Sequence, residues 1–183
     1  VTGMGKSIGV IELMSIARGI LVSDYMVKAA QVEILRSSTV CPGKYVIIVA
    51  GQIGDVKVSM AVGDQQSGEC LVDKLIIANI HSQLIPAICM TNQIEGMDAV
   101  GVLEFYSVAS AILAADKAAK AANITLIEVR IGYAIGGKGF VTLTGGVGDV
   151  RAAVEAAEKS SELLVESVVI PRPSREVLES LMS

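Results

Sequence analysis

Large rings are scarce in this chain. Aromatic residues make up only 3% of its 183 positions, so the apolar bulk comes from Ala, Val, Ile and Leu, which fill thin layers and flat contacts without anchoring rings. Histidine occurs once, at His81, and no Ser or Cys nucleophile sits in a recognisable motif, so no catalytic triad can be assembled. A surface or capping role is the expectation for His81. Cysteine occurs three times, at Cys41, Cys70 and Cys89, an odd number at spacings that match no metal knuckle. A reducing compartment argues against structural disulfides, and any metal site has to draw on more than this spacing.

Positive charge is also in short supply. The net charge is -4 and the pI near 5.0, with basic residues scattered, which excludes a general attraction to nucleic acid. The longest stretch free of Lys, Arg, Asp and Glu, Leu75 to Ile94, is long enough to span a bilayer. It contains Asn79, His81, Ser82, Gln83, Pro86, Asn92 and Gln93, and does not read as a membrane span. No charged end followed by an apolar core stands at the N-terminus, so a cytosolic location is expected, with Val1 to Gly3 read as a cloning remnant before Met4. The hydrophobic content of 52% and mean hydropathy of +0.60 predict an ordered chain that hides surface in an oligomer.

What the chain has is repetition. "SIGVIELMSIARGILVSDYMVKAAQVEIL", Ser7 to Leu35, lies over "AVGVLEFYSVASAILAADKAAKAANITLI", Ala99 to Ile127, at an offset of 92 with 11 identities in 29 positions. Gly9 matches Gly101, Glu12 matches Glu104, Asp24 matches Asp116 and Lys28 matches Lys120. The register then slips by two, pairing Gly43-Lys44 with Gly137-Lys138, and the insertion falls in a loop, where it is tolerated. A last slip pairs Glu69–Ile88 with Glu162–Leu181. Two modules follow, residues 4–92 and 97–183.

Each module predicts a strand (near Ile8 to Leu13; Val100 to Phe105) and a helix with apolar residues at helical spacing (near Ile16 to Ala30; Val108 to Ala122). Two extended runs bracketing a Gly-rich hairpin tip come next, "QVEILRSS" and "YVIIVAG", then "NITLIEVR" and "FVTLTGG". A second helix follows, with Asp55 and Asp149 expected to cap it, running to about Ser67 and Ala157. A fourth strand ("LIIAN"; "VVIP") and a short closing helix ("HSQLIPAI"; "SREVLESL") complete the set. The class is α+β, a tandem repeat of two α/β sandwich modules with helices packed on mostly antiparallel sheets.

Three features carry potential chemistry. "GMGKS", Gly3 to Ser7, resembles the end of a phosphate loop but lacks the earlier Gly and leads into a strand where that motif needs a helix. Glu12 and Glu104 occupy equivalent strands, which follows from duplication and marks no acid-base pair. Cys70 and Cys89 lie among apolar neighbours and are expected to pack as small hydrophobes. Cys41 differs, because "TVCPGKYVIIVAG" sets it in a hairpin tip before Pro42 and Gly43, with Lys44 near enough to favour thiolate. The other copy, "AIGGKGFVTLTGG", has Ile135 there. On spacing alone an incidental loop cysteine and a ligating thiol are both open; a ring of three chains would turn one cysteine per chain into three converging thiolates.

The repeated "SIGVIELMSIARGILVSDYMVKAAQVEIL", the loop followed by "VIIVAGQIGDV" and the "VVIPRPS" ending resemble the bacterial microcompartment shell domain, and the duplication resembles its tandem-domain, trimer-forming class. "TVCPGKYVIIVAGQIG" and "LIIANIHSQLIPAI" resemble the iron-sulfur-binding shell proteins of propanediol-utilisation compartments. The resemblance implies a homotrimer of pseudo-sixfold symmetry, tiling with other shell proteins in the cytoplasm around an encapsulated pathway, with no enzymatic activity of its own. It implies central pore loops at Cys41, Pro42, Gly43 and Lys44 and at Ile135, Gly136, Gly137 and Lys138. It further implies one 4Fe-4S cluster per trimer held by Cys41, passing electrons across the shell to a redox enzyme or flavoprotein.

Tile edges in that family correspond here to Lys28, Lys120 and Arg172, with Asn79 departing from the arginine in the first copy. A trimer with a cluster-free metabolite pore is the alternative. From another class comes a nucleotide-binding or redox enzyme using Lys6-Ser7 or the "AIGGKG" loop.

Overall fold

The computed structural model describes residues 7–94, 96, 98–132 and 135–181. The first set of elements is β1 (Ser7–Leu13), α1 (Ile16–Ala29), β2 (Val32–Val40), β3 (Lys44–Gly51), α2 (Ile53–Ser67) and β4 (Leu71–Ile77), followed by the short α3 (Leu84–Ile88). The second set repeats the order as β5 (Ala99–Phe105), α4 (Val108–Ala121), β6 (Ile124–Ile131), β7 (Gly139–Gly145), α5 (Val147–Glu158), β8 (Leu164–Pro171) and α6 (Arg175–Leu181). Each set forms a four-stranded antiparallel sheet, ordered β2-β3-β1-β4 and β6-β7-β5-β8. The α+β tandem architecture expected from the repeat is the one observed. No described helix is long and apolar enough to cross a membrane.

The chain divides into two compact units. The first runs to Ile80 and takes in the segment Gly132–Gly137; the second comprises His81–Ile131 and the chain from Lys138 on. The sequence places His81–Ile88 at the close of the first module and Gly132–Gly137 in the second module's hairpin tip. Both segments pack with the other unit. Packing follows backbone hydrogen bonds and apolar contact, which a repeat boundary drawn by similarity does not see.

Local chemistry explains how the first helix of each module starts. Ser15 and Ser107, identical in the repeat, accept hydrogen bonds at 3.2 Å from the backbone N–H groups of Arg18 and Ser110, capping α1 and α4. Asp55 and Asp149 do not cap as expected. Gln52 and Gly146 hold the cap positions without a side-chain bond, and the aspartates lie within the first turn, where a negative charge meets the positive end of the helix dipole. The fourth strand starts earlier than "LIIAN" and "VVIP" suggest, at Leu71 and Leu164. These strands alternate exposed and sheltered residues, so they lack the continuous apolar run that announces β3.

At the repeated Gly9 and Gly101, side chains of the second helix pack directly on the inner strand β1 or β5. A Cβ on Gly9 would stand 2.5 Å from Met60 and one on Gly101 would stand 2.8 Å from Val154, so a methyl group there collides with α2 or α5. The first unit's core joins Ile11 and Leu13 of β1, Val22 and Met26 of α1, Tyr45, Ile47 and Val49 of β3, and Val56 and Met60 of α2. The Tyr45 hydroxyl is satisfied at 2.9 Å by Ser37, which bonds Ser23 at 2.8 Å, so the one ring in this layer keeps its polar tip paired.

Candidate functional site

The β2–β3 hairpin closes through Val40, Cys41, Pro42 and Gly43. Val40 is buried, the Gly43 N–H donates to the Val40 carbonyl at 3.1 Å, and Gly43 adopts φ 97°, a left-handed conformation that glycine takes without strain. The Cys41–Pro42 peptide is cis. Pro42 and Gly43 are exposed and Cys41 is partly exposed as a free thiol. The Cys41 N–H donates to the carbonyl of Gly132 at 2.7 Å.

That bond ties Gly132 to the Cys41 tip. A Cβ on Gly132 would stand 2.4 Å from Val40, and one on Gly137 would stand 2.4 Å from the Cys41 carbonyl oxygen; both residues have positive φ, 69° and 80°. The missing side chains are therefore what lets Gly132 and Gly137 lie against the Val40–Pro42 tip. Ile135 is partly exposed and Gly136 exposed, while Gly137 is buried under the cysteine loop. The residues expected to line a pore, apart from Lys138, thus come together in one compact unit.

Lys44 does not direct its charge at the thiol, as the sequence suggests. Its Nζ lies 2.8 Å from Oε1 of Glu12, whose side chain is fully buried on β1. Burial makes a lone carboxylate costly, and Glu12 draws the nearest cation to itself. The repeat makes the same pair, Lys138 Nζ lying 2.7 Å from Glu104 Oε1, in a more exposed setting. The hydrogen bond to Glu104 is the main cause that raises the Lys138 pKa above its ordinary value. These two pairs, absent from the sequence reading as pairs, explain why Glu12 and Glu104 recur. Their signal was legible, because both partners repeat in register.

As metal donors the described residues offer little beyond Cys41. No group of three or more His, Cys, Asp or Glu converges among them within one chain. Cys70 packs against the first unit's core as expected. Cys89 does not: it is exposed just past the end of α3, beyond the buried Leu84, Ile85, Ala87 and Ile88 of that helix. His81 has a capping role, its Nδ1 accepting from the Gln83 N–H at 3.3 Å. Lys6 lies outside the described residues, and Ser7 opens a strand, not a helix. The "AIGGKG" loop likewise runs into a strand, β7, where a phosphate loop runs into a helix.

The four residues expected at tile edges occupy repeated local settings. Lys28 pairs with Asp24 at 2.6 Å and Lys120 pairs with Asp116, each one helical turn apart. Asn79 and Arg172 both sit just past a fourth strand with φ 52°, so the turn geometry is kept although the side chain differs.

Two such βαββαβ units in tandem, each with a hairpin tip between its second and third strands, define a duplicated shell-tile domain. The BMC domain family matches residues 7–80 and 99–173, and the chain belongs to that family as a tandem-domain microcompartment shell protein. It is 44% identical to the bacterial microcompartment shell protein PduT of Citrobacter freundii, over 93% of this chain and 94% of that one. It is 27% identical to the carboxysome assembly protein CcmO of Synechococcus elongatus, over 96% of this chain and 68% of the other. Among solved structures, a microcompartment protein from Desulfitobacterium hafniense superposes with a TM-score of 0.88 at 43% identity, covering 94% of this chain and 98% of that one. A fused permuted hexameric shell protein of the RMM microcompartment gives 0.63 at 26% identity, covering 84% and 83%.

Proposed function

We propose that this shell protein works as a closed homotrimer in which Cys41 of each copy supplies one thiolate to a 4Fe-4S cluster on the ring axis. The fourth iron takes water or a small external ligand. When bound, the cluster supplies one-electron chemistry, carrying single electrons across the wall to a redox enzyme or flavoprotein. The protein itself is a wall component without catalysis, tiling with other shell proteins through edges that include Lys28, Lys120 and Arg172, with Asn79 making one edge unlike the rest.

One observation carries the reading. The partly exposed Cys41 thiol sits on a tip braced by Gly132 and Gly137, so the donor is held by backbone contacts on a rigid hairpin, as preorganised ligation requires. A thiolate is the soft donor that iron-sulfur clusters take. Ile135 in the other tip leaves three thiolates per ring, which suits a cluster with one externally ligated iron.

The test is anaerobic purification followed by visible absorbance and iron and sulfide counts. A brown protein with about four irons per three chains is expected. The Cys41→Ser variant is expected to stay assembled and colourless. An assembled wild-type protein that is iron-free and colourless would defeat the cluster and leave the metabolite pore.

A further inference from the structure

The second unit carries, along its open β6 edge, a segment with no counterpart along β2 among the described residues of the first unit. Gln83 Nε2 donates to the Ile124 carbonyl at 2.9 Å, the Leu126 N–H donates to Gln83 Oε1 at 2.8 Å, and Asn92 Nδ2 donates to the Leu126 carbonyl at 2.8 Å. The His81 N–H donates to Asp116 Oδ1 at 2.8 Å. Leu84, Ile85 and Ile88 of α3 are buried there, as are Ile124, Leu126 and Ile127. Edge-strand groups that would face water are thereby paired and covered.

The first unit presents the same acceptor in the same register. Val32 and Ile34 pair with Gly51 and Val49 as Ile124 and Leu126 pair with Gly145 and Leu143, and a bulge follows at the same place in each strand. Asp24 stands where Asp116 stands and holds Lys28 as Asp116 holds Lys120. Yet Ile34 is 39% exposed where Leu126 is 0% exposed, and the Asp24 side chain is 55% exposed where that of Asp116 is 2%.

The matching donor is α6. At an offset of 93, His81, Gln83, Leu84, Ile85 and Ile88 become Ser174, Glu176, Val177, Leu178 and Leu181, so three of the four buried apolar positions of α3 stay apolar while Ala87 becomes Ser180. The turns that launch the two segments share φ 52° at Asn79 and Arg172. In its own chain α6 is mostly exposed, Val177 by 40%, and Leu181 borders a small hollow with Met90, Asn92 and Ile127.

We propose that α6 of one copy docks along the β2 edge of another copy, as α3 docks along β6 within the chain. The Ser174 N–H then goes to Asp24, the Glu176 carboxylate accepts from the Ile34 N–H, and Val177, Leu178 and Leu181 cover Ile34 and its neighbours. Each chain has one donor helix and one acceptor edge, a head-to-tail contact that closes into a ring when the rotation permits. This rests on the ring assembly proposed above and names the contact that builds it. Glu176 accepts but, when ionised, cannot donate to the Val32 carbonyl as Gln83 donates to that of Ile124.

The experiment is light scattering across a concentration series for wild type, Ile34→Glu, Leu178→Glu, an equimolar mixture of the two variants, and Glu176→Gln, with circular dichroism melts confirming that each folds. Each single variant is expected to self-associate about a hundredfold more weakly, as a charge pressed into an apolar contact implies. The mixture is expected to give one-to-one dimers, because one intact helix and one intact edge are left. Glu176→Gln is expected to tighten assembly several-fold. Variants that assemble like an oligomeric wild type would overturn this contact and leave the ring reading intact. A wild type that is monomeric at every concentration would overturn both.

Discussion

Lys44 Nζ lies 2.8 Å from Glu12 Oε1, bridging 32 residues of chain to bind the hairpin tip to the central strand. Lys138 and Glu104 repeat the bond at 2.7 Å in the second unit. The two pairs differ in burial, Glu12 being fully enclosed and Glu104 about one-third exposed, and that difference separates their consequences.

Lys44→Met removes the cation from a buried carboxylate and is expected to cost about 3 kcal/mol of stability, the scale for breaking one side of a buried pair. Lys138→Met is expected to cost clearly less, since water screens that pair. Urea unfolding of the two variants decides it, and equal losses would contradict the burial difference.

The Lys138 pKa is raised chiefly by its hydrogen bond to Glu104, so its protonated form is favoured by folding. That contribution is fully present below the unfolded lysine value of 10.5 and fades as pH climbs through the higher folded value. Between wild type and Lys138→Met, the stability difference is therefore expected to shrink above pH 10.5 and to be constant from neutrality to about pH 9. Melting temperatures measured along that range provide the check.

Gly19 and Tyr45 face each other in the first unit, and their repeat counterparts are Ala111 and Gly139. A Cβ on Gly19 would stand 2.4 Å from the Tyr45 ring, and one on Gly139 would stand 2.7 Å from the Ala111 Cβ. The same gap is filled from opposite sides. Gly19→Ala is expected to destabilise by about 1–3 kcal/mol, as overpacking does. Combining it with Tyr45→Ala should recover part of that loss in a double-mutant cycle; simple additivity would speak against the collision.

Gly136 and Gly137 both have positive φ, but only Gly137 lies under the cysteine loop, a Cβ there meeting the Cys41 carbonyl while one on Gly136 meets open space. Gly137→Ala is expected to displace Cys41 and change its alkylation rate several-fold, whereas Gly136→Ala carries backbone strain alone and should leave that rate near wild type. In wild type, Cys89 is expected to react first, being exposed where Cys41 and Cys70 are only partly so. Timed thiol labelling with mass spectrometry reads both.

Much of the fold was legible because its signals are local. Helical spacing marked α1 and α4, and the apolar runs marked β3 and β7, whereas the Ser15 and Ser107 caps emerged only from the structure. Apolar neighbours in sequence do not reveal that Cys89 falls past the end of α3, beyond the residues that the helix buries. The Lys44 charge was misdirected for a related reason. Proximity to Cys41 along the chain counts for less than a buried carboxylate on the adjoining strand.

By itself the sequence determined that the chain is one module written twice, since recurrence at an offset of 92 to 94 positions needs no knowledge of contacts. It also determined the order of strands and helices inside each module, because periodicity and capping act within a few residues. Only the tertiary structure decided that α3 bonds to β6 and that Gly132 receives the Cys41 N–H. Those pairings join residues about 40 to 90 positions apart, where which backbone groups are left unpaired, and what lies near enough to satisfy them, is settled only when the chain is packed.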